Sequence, residues 1–345
     1  MPIPEPFVDS RWRHPVAAWL VVCCLLVFAM VVLGGLTRLT HSGLSITEWQ
    51  PFVGTLPPLS AADWQLMFEK YQLTPEFKLK NHWMGVEAFK GIFWLEYFHR
   101  LLGRAIGVVF FLPFAWFLWR RAFSRRLAWR LAGIFALGGL QGAVGWLMVQ
   151  SGLLDNPQVS HLRLTAHLGL ALAIYCALVW TWLDVRRDHR PQRSGGRLAM
   201  AGIAFVALAF ATALSGGLVA GIRAGYLYNT WPLMNGDFLP PDAWAMTPWW
   251  ISAFENATTI QFNHRFLAYM VAAGALALAA GVWWRARDAA ARALAVVLLA
   301  AVAVQVTLGI ATLLLRVPLA LASSHQAGAL VLLGVALALA HRLRG

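Results

Sequence analysis

Four histidines and one acid carry the chemistry this sequence can support. His99 and His264 each stand at the entrance to a long apolar run, inside Glu96-Tyr97-Phe98-His99-Arg100 and Gln261-Phe262-Asn263-His264-Arg265. Downstream of each, another apolar segment carries one more histidine, His167 in the first half and His325 in the second. Imidazole is among the commonest metal ligands, and an ionisable group within a membrane span is a functional candidate by default. Axial histidines from two helices are a known way for a four-helix core to hold haem iron. The four histidines therefore read as metal ligands of two haems, one in each half. Copper and zinc fit less well: no Met or carboxylate partner recurs in both halves, and the Gly- and Ala-rich interior leaves room for a macrocycle.

The halves differ in one place that matters for chemistry. Three residues before His99 is Glu96, whereas three before His264 is Gln261. A separation of i, i+3 puts both side chains on one helical face. A carboxylate near a haem edge can relay protons, orient water or stabilise developing positive charge, and its amide counterpart cannot carry a proton. The first half is thus expected to perform the reaction, with Glu96 as the catalytic residue, and the second to transfer electrons. A plainer alternative stays open, in which Glu96 is an interfacial acid paired with Arg100 or Arg104. Arg100 and Arg265 are candidate haem-binding residues, since an Arg fork matches a propionate; simple anchoring at the interface is the other reading.

The elements that must position these residues are membrane helices. Of 345 residues, 59% are hydrophobic and 12% charged, with 18 Trp and 20 Phe, which is the composition of an integral membrane protein. A span needs about 20 mainly apolar residues, and eight such runs are present, at 16–36, 98–119, 128–150, 161–183, 198–219, 261–284, 293–314 and 321–341. A bilayer admits helices or a closed barrel, and the runs lack the alternation of barrel strands, so the chain is expected to be all-α. The net charge of +13 does not point to nucleic acid. Arg residues gather in alternate short connections (Arg120, Arg121, Arg125 and Arg126, for example, then Arg186 and Arg187), the pattern of a cytoplasmic face. Both termini are expected on that side. Cys23, Cys24 and Cys176 all fall within apolar runs, with no cluster to hold a metal. Residues 1–15 lead straight into the first span and read as a retained anchor.

The order of landmarks repeats. Gly34-Gly35-Leu36 matches Gly216-Gly217-Leu218, Trp49 matches Trp231, and the Pro57-Pro58 pair matches Pro240-Pro241. Gln141 with Gly145 matches Gln305 with Gly309, and His167 matches His325. The expectation is two duplicated four-helix bundles, 1–190 and 191–345. The external segments 37–95 and 220–258 are too long for turns and are expected to form caps, with short helices near 61–71 and 85–93.

Several of these motifs together resemble the haem A synthase family. They are the Glu96 to Arg100 run, Arg163-Leu164-Thr165-Ala166-His167-Leu168, Tyr228-Asn229-Thr230-Trp231-Pro232-Leu233-Met234, Glu255-Asn256 leading to the Gln261 to Arg265 run, and Ser324-His325-Gln326. The resemblance covers nearly the whole chain. It implies oxidation of the C8 methyl of haem O to a formyl group, giving haem A for terminal oxidases. It also implies that His264 and His325 hold a resident haem b, that His99 and His167 flank the haem O site, and that Glu96 is essential there. Residues 37–95 and 220–258 contain no Cys, so the chain resembles the family's cysteine-free branch. The implied setting is a bacterial inner membrane, with the haem sites toward its outer face and lipid around the bundle. An electron donor, still to be identified, is implied as a partner. Contact with the haem O-forming prenyltransferase and homo-oligomerisation stay open. The alternative from the residues alone is a non-catalytic di-haem b electron carrier that uses both halves alike.

Overall fold

The computed structural model describes residues 7–48, 53–153, 157–187 and 196–344. Trp49 and the expected boundary at 190–191 lie outside the described residues. The α-helices are α1 (Arg13–Leu39), α2 (Ala61–Gln72), α3 (Val86–Trp119), α4 (Arg125–Leu153), α5 (His161–Arg187), α6 (Arg197–Gly221), α7 (Ser252–Glu255), α8 (Ala257–Arg285), α9 (Ala289–Leu314) and α10 (Leu319–Leu343). Eight of them, all but α2 and α7, are long and apolar enough to cross a membrane. The chain is a multi-pass, all-helical membrane protein.

Local chemistry sets several boundaries. At α2, the Ser60 hydroxyl accepts from the Asp63 amide at 3.1 Å and the Asp63 carboxylate accepts from the Ser60 amide at 3.0 Å. This capping box satisfies two donors that the first helical turn leaves unpaired. Asn256 caps α8 by accepting from the Thr259 amide at 3.0 Å.

One expectation is corrected. No separate helix spans 85–93; that stretch is the beginning of α3, which runs unbroken for 34 residues. At 1.5 Å per residue it is about 51 Å long, against a hydrocarbon core of about 30 Å. The helix runs through Gly91 and Pro113 without a break. Its projecting turns carry Phe89, Phe93 and Tyr97 at four-residue spacing, a ridge on which Phe68 and Tyr71 of α2 pack. The Tyr71 and Phe89 rings stack at 5.1 Å, which fixes the first cap to the helix that carries Glu96 and His99.

The most buried spans are α1, α5 and α10. Helix α5 packs on α1, α4, α6 and α10, and α10 packs on α1, α5, α6 and α9. The two helices carrying His167 and His325 are therefore neighbours at the centre. They are tied at the end that carries the termini, where buried Asp184 of α5 pairs with Arg130 of α4 and with His341 of α10 at 2.9 Å. Toward the other end, the Gln326 amide of α10 donates to the Val31 carbonyl of α1 at 2.8 Å.

Candidate functional site

Each candidate histidine rests on a glycine of a neighbouring helix. A Cβ at Gly145 would stand 2.7 Å from Cε1 of His167, and one at Gly309 would stand 2.8 Å from Cε1 of His325. At Gly34 it would lie 3.1 Å from Nε2 of His99, and at Gly216 it would lie 3.2 Å from Cε1 of His264. At Gly145 and Gly309 only a residue without a side chain lets the ring sit so close, and at Gly34 and Gly216 a methyl would push the ring by a few tenths of an ångström. The glutamine one turn before each of two of these glycines supports the helix opposite. Gln141 donates to the His167 carbonyl at 3.1 Å and Gln305 to the His325 carbonyl at 2.9 Å. The repeated Gln and Gly landmarks thus have one physical purpose, which is to seat an imidazole.

In the second half, the His264 and His325 rings face one another with centroids 6.5 Å apart and planes at 89°. An imidazole bonded to a metal at about 2 Å has its centroid roughly 3 Å from it. Two such rings on one metal stand roughly 6 Å apart, so His264 and His325 have the spacing that two ligands of one metal would need. His264 Nδ1 is 2.7 Å from the Ser215 hydroxyl, while Nδ1 of His325 is buried without a hydrogen-bond partner. In the first half, Nδ1 of His167 is likewise buried and unpartnered. Among the described residues, no three His, Cys, Asp or Glu side chains gather into a metal cage. Paired imidazoles suit haem instead, because the macrocycle supplies the other ligands.

Above the histidines, the acid and the arginines act on the loops. Glu96 is 2% exposed, and its two oxygens accept five hydrogen bonds. Oε2 takes the Ser45 amide and hydroxyl, both at 2.7 Å, and the Ile46 amide at 2.9 Å. Oε1 takes Arg100 Nε at 3.1 Å and Nη2 at 2.7 Å. Arg100 continues to the Ile46 and Glu48 carbonyls at 2.7 and 2.9 Å. The second half repeats the arginine's part: Arg265 donates to the Tyr228 and Thr230 carbonyls at 2.7 and 2.9 Å. Gln261 donates to the Tyr228 carbonyl at 3.2 Å. The geometry thus realises the pairing of Glu96 with Arg100 left open by the sequence, and it gives both arginines loop carbonyls to hold.

Two residues not singled out from the sequence belong to this region. Ser215, directly before Gly216-Gly217, was hidden because its partner is 49 residues away. Glu76, in the first cap, is 3% exposed. Its Oε2 accepts from the Tyr71 hydroxyl at 3.3 Å, and that hydroxyl accepts from Asn81 at 2.7 Å. Burial pushes the Glu76 carboxyl up to about 7, with the nearby Lys80 opposing and Glu96 adding to the rise. A carboxyl raised in the folded state binds its proton more tightly there than in the unfolded chain. Its contribution to stability is full below the ordinary carboxyl value of 4.5 and is lost as pH climbs through about 7. Hydrogen-exchange protection of α2 should fall across that window by at most about 3 kcal/mol, and Glu76→Gln should flatten the dependence.

The profile of the cytochrome oxidase assembly protein family matches residues 17–337. The heme A synthase of Nitrosospira multiformis is 55% identical over 96% of this chain and 94% of its own length. That of Rhodospirillum centenum is 51% identical over 99% and 92%, and that of Nitrosomonas eutropha 47% over 99% and 98%. With eight helices long and apolar enough to span a membrane and likeness along nearly its full length, the chain belongs to the cytochrome oxidase assembly protein family.

Proposed function

We propose that the chain is a haem A synthase, an oxidoreductase that converts the C8 methyl of haem O to a formyl group and so supplies haem A to terminal oxidases. The observation that carries this reading is the end-to-end likeness to heme A synthases at about half identity. The facing pair His264 and His325 supports haem b in the second half, where it would supply a one-electron iron centre. His99 and His167 would flank haem O in the first half. The formyl oxygen must come from outside the haem: water supplies it when an electron acceptor takes the released electrons and protons, and dioxygen supplies it when an electron donor reduces the second oxygen atom to water.

The residues of this chain bind and position. Gly34 and Gly145 let the two first-half imidazoles sink between helices. Glu96 holds the Ser45-Ile46 turn and Arg100 above His99, which makes it a fixed negative charge at the mouth of the substrate site. Arg100 and Arg265 place positive charge at equivalent points, suited to the propionate edge of each haem. The recurrence of these contacts supports a duplicated architecture, 1–190 and 191–345, with parallel repeats. The Arg distribution supports termini on the cytoplasmic side of a bacterial inner membrane and sites toward the outer face. The prenyltransferase that makes haem O is the natural neighbour.

Purified protein from cells that make haem O should yield haem b together with haem O or haem A on chromatography, and membranes carrying it should gain haem A. Haem b as the sole pigment, with no haem A formed, would instead identify a di-haem electron carrier.

A further inference from the structure

The Ser215 hydroxyl has one proton, and the Thr212 carbonyl at 2.7 Å is its acceptor. Toward His264 it is therefore the acceptor, at 2.7 Å from Nδ1. This assigns the ring: Nδ1 carries the proton, and the Nε2 lone pair is left free for a metal. A ligating histidine whose other nitrogen is held in this way has a fixed orientation and a more basic ligand atom.

The first half lacks this device. Gly34-Gly35-Leu36 corresponds to Gly216-Gly217-Leu218, and Gly34 and Gly216 press against His99 and His264 respectively. The residue before each pair is therefore equivalent, Leu33 in one half and Ser215 in the other. Leucine offers no acceptor. His99 is also turned differently, with Nε2 as the atom nearest a Cβ at Gly34, where in His264 the nearest atom is Cε1. On the α5 and α10 side the halves match closely, since Gly145 and Gly309 meet the same ring atom within 0.1 Å. The halves also differ at the α5 ligand, where Gln141 Nε2 lies 3.3 Å from His167 Nε2; what sets the α8 ligand apart from its α3 counterpart is the Ser215 contact.

We infer that Ser215 is the positioning residue that makes the second-half haem permanent, and that Leu33 leaves His99 free to turn so that the first-half haem can enter and leave. The inference rests on the assignment of resident haem b to the second half. A site that must take a substrate and release a product needs one ligand able to let go, whereas a resident redox centre needs both held.

The test is haem transfer from the purified, haem-loaded protein to excess apomyoglobin, with redox titration alongside. Ser215→Ala should speed release of the slow-exchanging haem b on the order of 10–100-fold and raise its midpoint potential, because a less basic imidazole stabilises ferric iron less. Ser215→Thr, which keeps the hydroxyl, should restore both. Leu33→Ser should slow release from the first half. An unchanged rate and potential in Ser215→Ala overturn the inference. If that variant fails to accumulate, an unchanged first-half release rate in Leu33→Ser overturns it. His264→Ala separates the assignment from the inference: if the slow-exchanging haem survives that change, the placement of haem b is what fails.

Discussion

Glu96→Gln should lower haem A formation by about 100-fold or more while the second-half haem stays bound. The carboxylate accepts five hydrogen bonds from Ser45, Ile46 and Arg100. An amide of the same shape must turn two donors toward groups that are themselves donors. Either the loop amides or the Arg100 guanidinium then lose their acceptor, and breaking one side of a buried ion pair costs about 3–5 kcal/mol. A cost of that size, borne by the alignment of the loop and Arg100 in the reacting geometry, corresponds to the stated loss at about 1.4 kcal/mol per factor of ten. Gln261 shows why the second half tolerates an amide: there the loop presents the Tyr228 carbonyl, an acceptor. Limited proteolysis near Ser45 should become faster in the variant, with haem b unchanged by chromatography. Full haem A output from Glu96→Gln would remove the clamp from the proposed mechanism.

Gly309→Ala and Gly145→Ala should give opposite pigment losses. The new methyl would lie 2.8 Å from the His325 ring in the first case and 2.7 Å from the His167 ring in the second. Helix backbone lies behind each methyl, so it is the imidazole that must swing. Overpacking of this kind costs about 1–3 kcal/mol in stability, which such a bundle can absorb, but a displaced ring cannot ligate. Gly309→Ala should therefore lose haem b by more than about tenfold in occupancy, since a 1.4 kcal/mol change already corresponds to tenfold. Gly145→Ala should keep haem b and lose haem O and haem A. Equal losses in both variants would contradict separate sites in the two halves.

Much of this was legible from residue order. The histidines stand out because their spacing recurs and because ionisable groups are rare in apolar runs. Glu96 stood out through its contrast with Gln261. The sequence could not say that Glu96 would be saturated by the Ser45-Ile46 turn, because that contact depends on how a 59-residue segment folds back onto α3. Ser215 was invisible for a similar reason: a serine in a small-residue helix says nothing about which helix lies opposite. The extension of α3 through 86–97 is hard to read because Glu87, Lys90, Gly91 and Glu96 break the apolar run, yet the helix continues through Gly91 and, further on, Pro113. Glu76 looked like one more external acid until α2 and Tyr71 closed over it.

The neighbouring placement of α5 and α10 has a consequence for energetics. His167 and His325 each lie six residues into their helix, and the two helices meet again near their far ends through Asp184 and His341. They run side by side in step. With a haem held at each pair, as proposed, an electron passing between them would travel along the plane of the bilayer. A voltage across the membrane does about 2.3 kcal/mol of work per 100 mV on a charge that crosses it fully, and almost none on one that moves sideways. Exchange between the halves should proceed alike in energised and de-energised cells.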